Sequence, residues 1–210
     1  MKKALLVGCG SKWGGIFTKH LSDIGYQIDL ISSSDFNYTN VNLIKIDWFN
    51  FNLSNIKDLL DNTKKYDLIF FNQNSGGGLN EHFFKPGNNY NIEHWNYHSW
   101  VNCQLPYFIV KHLSNVITEE TKIGWMMTGL IIGNESNLYQ YAGYASVKSS
   151  NLHFMRAFSK FHPGIFFAIN PGWFPEDKYL EDAHSITQVI EKITKEDSGK
   201  SFNKDGSFWI

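Results

Sequence analysis

The sequence predicts an α/β fold in which a doubly wound parallel sheet of about seven strands lies between two layers of helices. Short apolar runs alternate along the 210-residue chain with longer segments of helical periodicity. This alternation is typical of strand–helix–strand units, whose parallel strands are covered on both faces. Because no Pro- or Ser-rich linker and no repeat interrupts the chain, residues 1–210 are expected to form a single domain.

The individual elements follow from local composition. Six apolar runs have the length of buried strands, namely residues 4–7, 27–31, 42–46, 67–71, 122–127 and 164–170. Five segments have helical periodicity, namely residues 14–24, 54–63, 91–115, 138–161 and 181–195. Ser54 is expected to cap the second helix. Ligands of such sheets bind beyond the carboxyl ends of the strands, so the residues that follow each strand are the candidate site.

Composition and charge narrow the range of partners. The net charge is −1 and no run of like charges occurs, which argues against a nucleic-acid surface or a membrane-binding basic stripe. Small molecules and other subunits are the expected partners. Cys9 and Cys103 are the only cysteines, and we expect free thiols in a reducing compartment. No apolar run is long enough for a signal peptide or a membrane span, so a cytoplasmic protein is expected.

The first chemical motif, VGCGSKWGGIF, follows the first strand and opens the first helix. Glycines at 8, 10, 14 and 15 allow the main chain to approach a pyrophosphate, and the helix N-terminus offers unpaired N–H groups. The motif therefore predicts a dinucleotide-binding domain. A tight strand-to-helix turn without a ligand is the alternative.

The second motif, LISSSDF, ends the second strand and bears on the choice of cofactor. NAD(H) sites usually place an acidic residue here to hold the ribose hydroxyls, whereas this chain has Ser32, Ser33 and Ser34. The serines leave room for a 2′-phosphate, whose charge Lys12 can balance, so NADP(H) is preferred. NAD(H) stays open, because Asp35 is close enough to hold ribose hydroxyls if the strand ends later.

The third motif, YASVK, places Tyr144 and Lys148 on one helix face. A nearby ammonium stabilises phenolate and is expected to lower the pKa of Tyr144 toward working pH. Tyr144 can then give a proton to a carbonyl or accept one in the reverse direction. Taken alone, this spacing is common and favours a solvated helix face.

These motifs, together with DLIFFNQNSGG, a helical asparagine and INPGW, resemble the short-chain dehydrogenase/reductase superfamily over essentially the whole chain. The resemblance implies a Rossmann-type fold and a nicotinamide cofactor. The residues that it implies at the cofactor are Gly8, Gly10, Ser11, Lys12, Trp13, Gly14, Ser32, Ser33, Asp47, Trp48, Asn74, Ser75, Gly76, Tyr144, Lys148, Pro171 and Gly172.

The resemblance also implies individual roles. Lys12 stands where a middle glycine often occurs, and Asp47 and Trp48 fall where the family contacts adenine. The run from Gln73 to Gly76 resembles the family's Asn-Asn-Ala-Gly segment, which steadies the central strand beside the cofactor.

Five residues match the family's reaction centre. Tyr144 and Lys148 match the catalytic pair, and the lysine of that pair also binds the nicotinamide ribose. Asn102 looks like the asparagine that holds a water in a proton relay to the lysine. Pro171 and Gly172 match the turn that shelters the nicotinamide.

The tail TKEDSGKSFNKDGSFWI is similar to that of the small branch that includes the C-factor or C-signal proteins. This similarity implies that GSFWI, residues 206–210, is the last strand of the sheet. It also implies that residues 173–183 form a reduced substrate-covering segment.

One departure from the family concerns its catalytic serine, which orients the substrate carbonyl. The aligned positions hold Gly129, Leu130 and Ile131, none of which has a hydroxyl. Thr128 lies slightly early and Ser136 lies late, and either is a candidate substitute. Losing one oriented donor typically costs a factor of about 10²–10³ in rate, so activity is expected to be slow rather than absent.

The resulting hypothesis is an NADP(H)-dependent oxidoreductase that interconverts a carbonyl and an alcohol on a small, partly apolar substrate, with Tyr144 as general acid and base. The alternative is a catalytically impaired member that acts as a nucleotide-binding regulatory or interaction protein. The predicted helices 91–115 and 138–161 are rich in apolar and aromatic residues. The resemblance implies that these helices pair across a two-fold axis, so a homodimer or homotetramer is expected. No metal is predicted, because the order of Glu93, His94 and His98 does not match a zinc motif.

Overall fold

A computed structural model describes residues 1–10, 12–47, 58–73, 92–128, 138–172 and 175–210. Its strands, in chain order, are β1 Lys3–Val7, β2 Gln27–Ser32, β3 Val41–Lys45, β4 Leu68–Phe71, β5 Lys122–Met126, β6 Ile165–Asn170 and β7 Lys200–Asn203. Its helices are α1 Lys12–Asp23, α2 Ile92–Ser99, α3 Leu105–His112, α4 Leu138–Phe161 and α5 Tyr179–Lys192, with a π-helical turn at Trp100–Gln104 between α2 and α3.

The seven strands form one parallel sheet in the order β3-β2-β1-β4-β5-β6-β7. The chain builds the sheet outward from β1 to β3 and then returns to β4, which pairs with β1 on its other side. The strand order therefore reverses between β1 and β4, where the connections diverge and leave a crevice at the carboxyl ends. The predicted doubly wound fold class is confirmed.

Alternating side chains assign the helices to the two faces of the sheet, since successive residues of a strand point to opposite faces. Leu5 and Val7 of β1 join a cluster to which α3 and α4 contribute Ile109 and Met155. Ala4 and Leu6 join a second cluster, to which α1 and α5 contribute Phe17, Leu21, Ala183 and Ile186. The sheet is thus the middle of three layers, as predicted.

The predicted last strand is wrong. The seventh strand is Lys200–Asn203, which pairs with β6, whereas residues 206–210 turn back against it. Gly206 adopts a positive φ of 85°, and the Asp205 carboxylate accepts hydrogen bonds from the main chain and hydroxyl of Ser207. This turn leaves Phe208 with only an isolated antiparallel bridge to Phe202.

Three predicted helices have different bounds in the structure. The expected helix 91–115 is interrupted by the π-helical turn and ends at His112. The expected helix 181–195 spans Tyr179–Lys192, and Thr194 caps a separate 3₁₀ turn at Lys195–Asp197. Of the expected helix 54–63, residues 54–57, including Ser54, lie outside the described residues, while residues 61–63 form a turn.

Gly124 is required by the packing of the central strands. It lies in β5 between two phenylalanines, and a Cβ there would be 2.5 Å from Phe167 Cζ and 2.7 Å from Phe70 Cδ2. Gly124→Ala is expected to lower the free energy of unfolding by about 1–3 kcal/mol, because neighbouring strands cannot move apart to accept a methyl group. Urea denaturation monitored by circular dichroism measures the change.

Gly15 in α1 is the matched control for this substitution. A Cβ there would lie 3.5 Å from its nearest neighbour, Phe36 Cε2, which is ordinary contact. Gly15→Ala is expected to leave stability unchanged or raise it by up to about 1 kcal/mol, since alanine favours helix. Equal losses from both variants would contradict crowding at Gly124.

Candidate active site

The glycine turn after β1 is shaped by close main-chain packing. Gly8 has a φ of 74°, and a Cβ there would lie 2.3 Å from Gln73 Cα. A Cβ at Gly10 would lie 2.1 Å from Ser32 Oγ, and one at Gly14 would lie 2.8 Å from Cys9 Cα. Glycine is therefore required at all three positions, which leaves bare main chain at the start of α1.

Lys12 occupies a conformation that normally belongs to glycine. Its φ is 47°, in the left-handed region where a side chain costs about 1–2 kcal/mol. The resemblance places Lys12 where the family often has a middle glycine, and the positive φ of Lys12 is one that glycine adopts without strain. Its side chain is exposed at the first position of α1.

Two side chains that the sequence analysis did not select hold the turn in place. Thr18 Oγ1 is 2.8 Å from the carbonyl oxygen of Cys9 and 2.9 Å from that of Gly14. Asn72 Nδ2 donates to the carbonyl of Gly8 at 3.3 Å. The available signals were the position of Asn72 directly after β4 and the presence of a polar residue, Thr18, on the apolar face of α1.

The turn fits a dinucleotide diphosphate. Three glycines whose Cβ positions are filled by neighbouring atoms precede or begin a 12-residue helix, and anions are stabilised at such N-termini. The side chain of Trp13, which was predicted only to be a cofactor-binding residue, is buried and stacks on Phe17 with ring centroids 5.0 Å apart. Only the main chain of Trp13 can face a bound nucleotide.

The end of β2 presents hydroxyls rather than a carboxylate. Ser32 is buried against Gly10, and its Oγ accepts a hydrogen bond from the Ser34 N–H at 3.1 Å, while Ser33 is exposed. Asp35 pairs with Lys45 at 2.6 Å. Lys45 is the register partner of Ser32 in the adjacent strand, so both residues lie at the carboxyl edge. The sequence analysis missed Lys45, because strand pairing brings it to this position.

Asp47 follows β3 and is exposed. At the other side of the sheet, Gly172 has a φ of 65° and its N–H donates to Asn170 Oδ1 at 3.2 Å. Asn170 also donates to Asn203 Oδ1, so the Pro171–Gly172 turn is fixed to β7. Sequence reasoning did not select Asn170.

Lys148 is buried at the carboxyl ends of two central strands. Its Nζ donates to the carbonyl of Gln73 at 3.0 Å and to that of Met126 at 3.3 Å. The ammonium also lies 5.8 Å from the centroid of the Tyr144 ring. Because Gly8 packs directly on Gln73, this single residue connects the glycine turn to the Tyr144–Lys148 pair.

Burial dominates the ionisation of both members of the pair. It lowers the pKa of Lys148 to about 8 and raises the pKa of Tyr144 above its ordinary value. The expectation that Lys148 lowers the pKa of Tyr144 is therefore wrong for the structure as it stands. Removing the phenol from water disfavours phenolate more than the ammonium favours it, and Tyr144 stays protonated at neutral pH.

Asn102 lies in the π-helical turn and is fully buried. Its Nδ2 donates to the carbonyl of His98 at 3.1 Å, and its own carbonyl accepts a hydrogen bond from Asn151 Nδ2 at 2.7 Å. Asn151, on α4, was not identified from the sequence. Thr128 lies two residues after the end of β5 and is partly buried.

Several predicted site residues lie outside the described part of the chain. They are Ser11, Trp48, Asn74, Ser75, Gly76 and Ser136, together with the positions aligned with the family's serine, Gly129, Leu130 and Ile131. The structure brings together the glycine turn, Gln73, Lys148 and Tyr144 around the ends of β1, β4 and β5, and Asn102 is bonded through Asn151 to the helix that carries Lys148. Asp47 and the Pro171–Gly172 turn lie farther along the same edge.

The described residues were also searched for cavities, groups of metal ligands and membrane-spanning helices. Two cavities, of about 360 and 270 Å³, lie at the opposite edge, where the strands begin. Within the described ranges, no three His, Cys, Asp or Glu side chains are grouped so as to hold a metal ion. No helix in that part of the chain is long and apolar enough to span a membrane. Cys9 and Cys103 are free thiols.

The chain was compared with known protein families, curated proteins and solved structures. Neither the protein-family models nor the curated proteins compared with the chain give a match. Among solved structures, a putative short-chain alcohol dehydrogenase from Burkholderia multivorans has 18% identity and a TM-score of 0.72, covering 99% of this chain and 98% of its own.

Two further solved structures contain a nicotinamide cofactor. A carbonyl reductase from Pseudomonas aeruginosa PAO1, in complex with NADP, has 13% identity and a TM-score of 0.79 over 100% of this chain and 99% of its own. BdcA, in complex with NADPH, has 13% identity and a TM-score of 0.76 over 100% and 96%. The chain therefore has the fold of the short-chain dehydrogenases and reductases over its full length.

Proposed function

We propose that the protein is an NADP(H)-dependent oxidoreductase that interconverts a carbonyl and an alcohol on a small, partly apolar substrate. The observation that carries this proposal is the bond from Lys148 Nζ to the carbonyl of Gln73, the residue on which Gly8 packs. A buried ammonium and a phenol thus lie beside a turn that is built for a diphosphate. Buried groups with shifted pKa values beside a binding crevice are typical of active sites.

The roles of the residues follow from their positions. A bound nicotinamide supplies or accepts hydride at the substrate carbon. Tyr144, held protonated by burial, gives its proton to the carbonyl oxygen during reduction. Lys148 holds positive charge beside the phenol, which stabilises the phenolate left after transfer. Thr128 is the proposed substitute for the family's serine as the donor that orients the carbonyl, and Asn102 is proposed as the anchor of the relay.

The preference for NADP(H) rests on the end of β2. Ser32, with its hydroxyl directed at Gly10, replaces the carboxylate that holds ribose hydroxyls in NAD(H) sites. Lys12 and Lys45 place two ammonium groups at the same edge of the sheet. The Asp35–Lys45 pair is largely exposed, so a phosphate can displace its carboxylate at small cost. NADP and NADPH are also the cofactors in two structural relatives.

The remaining assignments are part of the same proposal. The glycines at 8, 10 and 14 hold the diphosphate with Ser11, the main chain of Trp13 and residues 74–76, while Ser33 and Lys12 lie near the 2′-phosphate. Asp47 and Trp48 border adenine, and Pro171 and Gly172 border the nicotinamide. We propose one domain, a cytoplasmic location in keeping with the free thiols, and a homodimer or homotetramer, supported by half-buried Tyr107, Phe108 and Phe154 on α3 and α4.

Cofactor binding is tested by titrating the protein with NADPH and NADH and following nicotinamide fluorescence. NADPH is expected to bind more tightly, and Lys12→Ala is expected to weaken NADPH binding by roughly three- to tenfold, because an exposed charge contributes about 1 kcal/mol. NADH binding should change little. If neither nucleotide binds the wild-type protein, the proposed function is wrong.

Lys12→Gly is the matched control for charge and backbone. It removes the same ammonium and also relieves the left-handed backbone strain, so it is expected to match Lys12→Ala in NADPH affinity. Its free energy of unfolding is expected to exceed that of Lys12→Ala by about 1 kcal/mol. Different NADPH affinities for the two variants would show that strain, rather than charge, governs binding.

Proton transfer is tested by single-turnover oxidation of bound NADPH with a panel of aldehydes and ketones. Tyr144→Phe is expected to slow turnover by about 10²-fold or more while NADPH affinity is kept, because only a hydroxyl is removed. Lys148→Met is expected to reduce both turnover and affinity. Tyr107→Phe, which removes a hydroxyl from α3, is the control and should retain wild-type turnover.

Two outcomes would contradict this mechanism. Wild-type turnover by Tyr144→Phe on a verified substrate would mean that the pair only shares a helix face. NADPH binding by the wild-type protein with no turnover of any carbonyl would favour the catalytically impaired, nucleotide-binding alternative.

The ionisation of Lys148 is tested through stability. Its pKa is about 8 in the folded protein and about 10.4 in an unfolded chain, so between these values the unfolded chain binds more protons. This group therefore makes the free energy of unfolding rise with pH across that window, by roughly 3 kcal/mol in total, and adds no slope below it.

Urea denaturation of the wild type and Lys148→Met at several pH values isolates this contribution, since other groups cancel in the difference. Lys148→Met should be most stabilising relative to wild type near pH 7, and this advantage should diminish as pH approaches 10.5. A constant difference over the window would show that Lys148 is not desolvated.

A further inference from the structure

The carbonyl of Asn102 loses its usual helical partner through the sequence itself. In an α-helix this carbonyl would accept the N–H of residue 106, which is a proline and has none. The structure forms a π-helical turn here, and the Leu105 N–H donates to the carbonyl of Trp100. Asn102 is fully buried, so its carbonyl needs another donor.

Asn151 supplies that donor from another helix. It lies three residues after Lys148 on α4, is 1% exposed, and donates from Nδ2 to the Asn102 carbonyl at 2.7 Å. A carbonyl can only accept, so the amide orientation of Asn151 is fixed. Its Oδ1 makes no hydrogen bond within the described chain. Burying an amide costs free energy when only its NH₂ group forms a hydrogen bond. The contribution of Asn151 to stability therefore lies in its bond to the Asn102 carbonyl.

We propose that Asn151 is a positioning residue that holds the π-helical turn, and with it Asn102, against the helix that carries Lys148. The proposal rests on the proposed function for its catalytic consequence, though the contact itself does not. Residues 148 and 151 lie on the same face of α4. Lys148 ties that face to the ends of β4 and β5, and Asn151 ties it to the turn, so two polar anchors set the distance between Asn102 and Lys148.

Two variants remove the donor in different ways. Asn151→Leu replaces the amide with an apolar side chain of similar size, and Asn151→Asp keeps the shape while replacing the N–H donor with an oxygen. Because they differ in polarity, a shared effect reports the lost hydrogen bond rather than packing. Ser149→Ala is the matched control, since it removes a hydroxyl that bonds only within α4.

The primary measurement is amide hydrogen exchange of residues 100–108, followed by mass spectrometry. Both Asn151 variants are expected to raise exchange of this segment by about tenfold, since the turn opens more often once the hydrogen bond from Asn151 to its carbonyl is lost. Exchange of α1 should not change, and Ser149→Ala should match wild type. Unchanged exchange at 100–108 in either folded variant would overturn the proposal.

The second measurement compares NADPH affinity with the single-turnover rate. Both variants are expected to keep NADPH affinity within about twofold and to lose about tenfold in rate, because the hydrogen bond of Asn151 is to Asn102 rather than to the glycine turn. Faster hydrogen exchange combined with a wild-type single-turnover rate would overturn the positioning role, because the bond would then affect only stability. If wild-type protein neither binds NADPH nor turns over, the proposed function fails, and the exchange experiment alone decides whether Asn151 holds the turn.

Discussion

The carboxyl end of β4 is the point on which the candidate site depends. Gln73 packs so closely on Gly8 that no side chain fits at Gly8, and its carbonyl accepts a hydrogen bond from Lys148. The main chain of Gln73 therefore fixes both the position of the glycine turn and that of the Lys148 ammonium. The strand order reverses between β1 and β4, so the glycine turn and the ammonium both lie at the crevice that such a reversal creates.

The Lys148 ammonium is buried at this point, and its surroundings determine both its ionisation and the interactions open to it. Within the described part of the chain, Lys148 donates to two main-chain carbonyls and to no carboxylate, so its charge is solvated by peptide dipoles. Burial depresses its pKa to about 8. Lys64, by contrast, forms an ion pair with the buried carboxylate of Asp29. An ammonium held without a salt bridge remains able to interact with a phenol or a ribose, whereas a paired one is already neutralised.

Much of the fold was predictable, because periodicity reports which faces are buried. The first six strands in chain order follow from the apolar runs, and their bounds in the structure agree with the predicted bounds to within one or two residues. The order of the motifs follows from the glycine spacing. The final strand was misassigned, because GSFWI has the composition of a strand while the turn at Asp205–Gly206 directs it backwards. Local turn chemistry here outweighed a resemblance in the tail.

Candidate site residues could be selected from the sequence where they belong to a local motif. They could not be selected where the site depends on contacts between residues that are distant in the sequence. Tyr144, Lys148 and the glycines could be selected from spacing. Lys45 and Asn151 could not, because strand register brings the first beside Ser32 and helix packing brings the second to Asn102. The pKa of Tyr144 moved opposite to the expectation for the same reason, since burial is a property of the assembled layers.

Departures from local rules concentrate around this one edge of the sheet. Lys12 adopts a left-handed backbone, Lys148 buries an ammonium, and residues 100–104 leave the α-helical pattern. Each of these typically costs about 1–3 kcal/mol, and folds tend to retain such costs at functional sites. Nucleotide binding alone accounts for the turn at Lys12, but it does not require a buried lysine opposite a phenol, or a second helix that anchors Asn102. Those two features are what the proposed proton transfer would require and nucleotide binding alone would not.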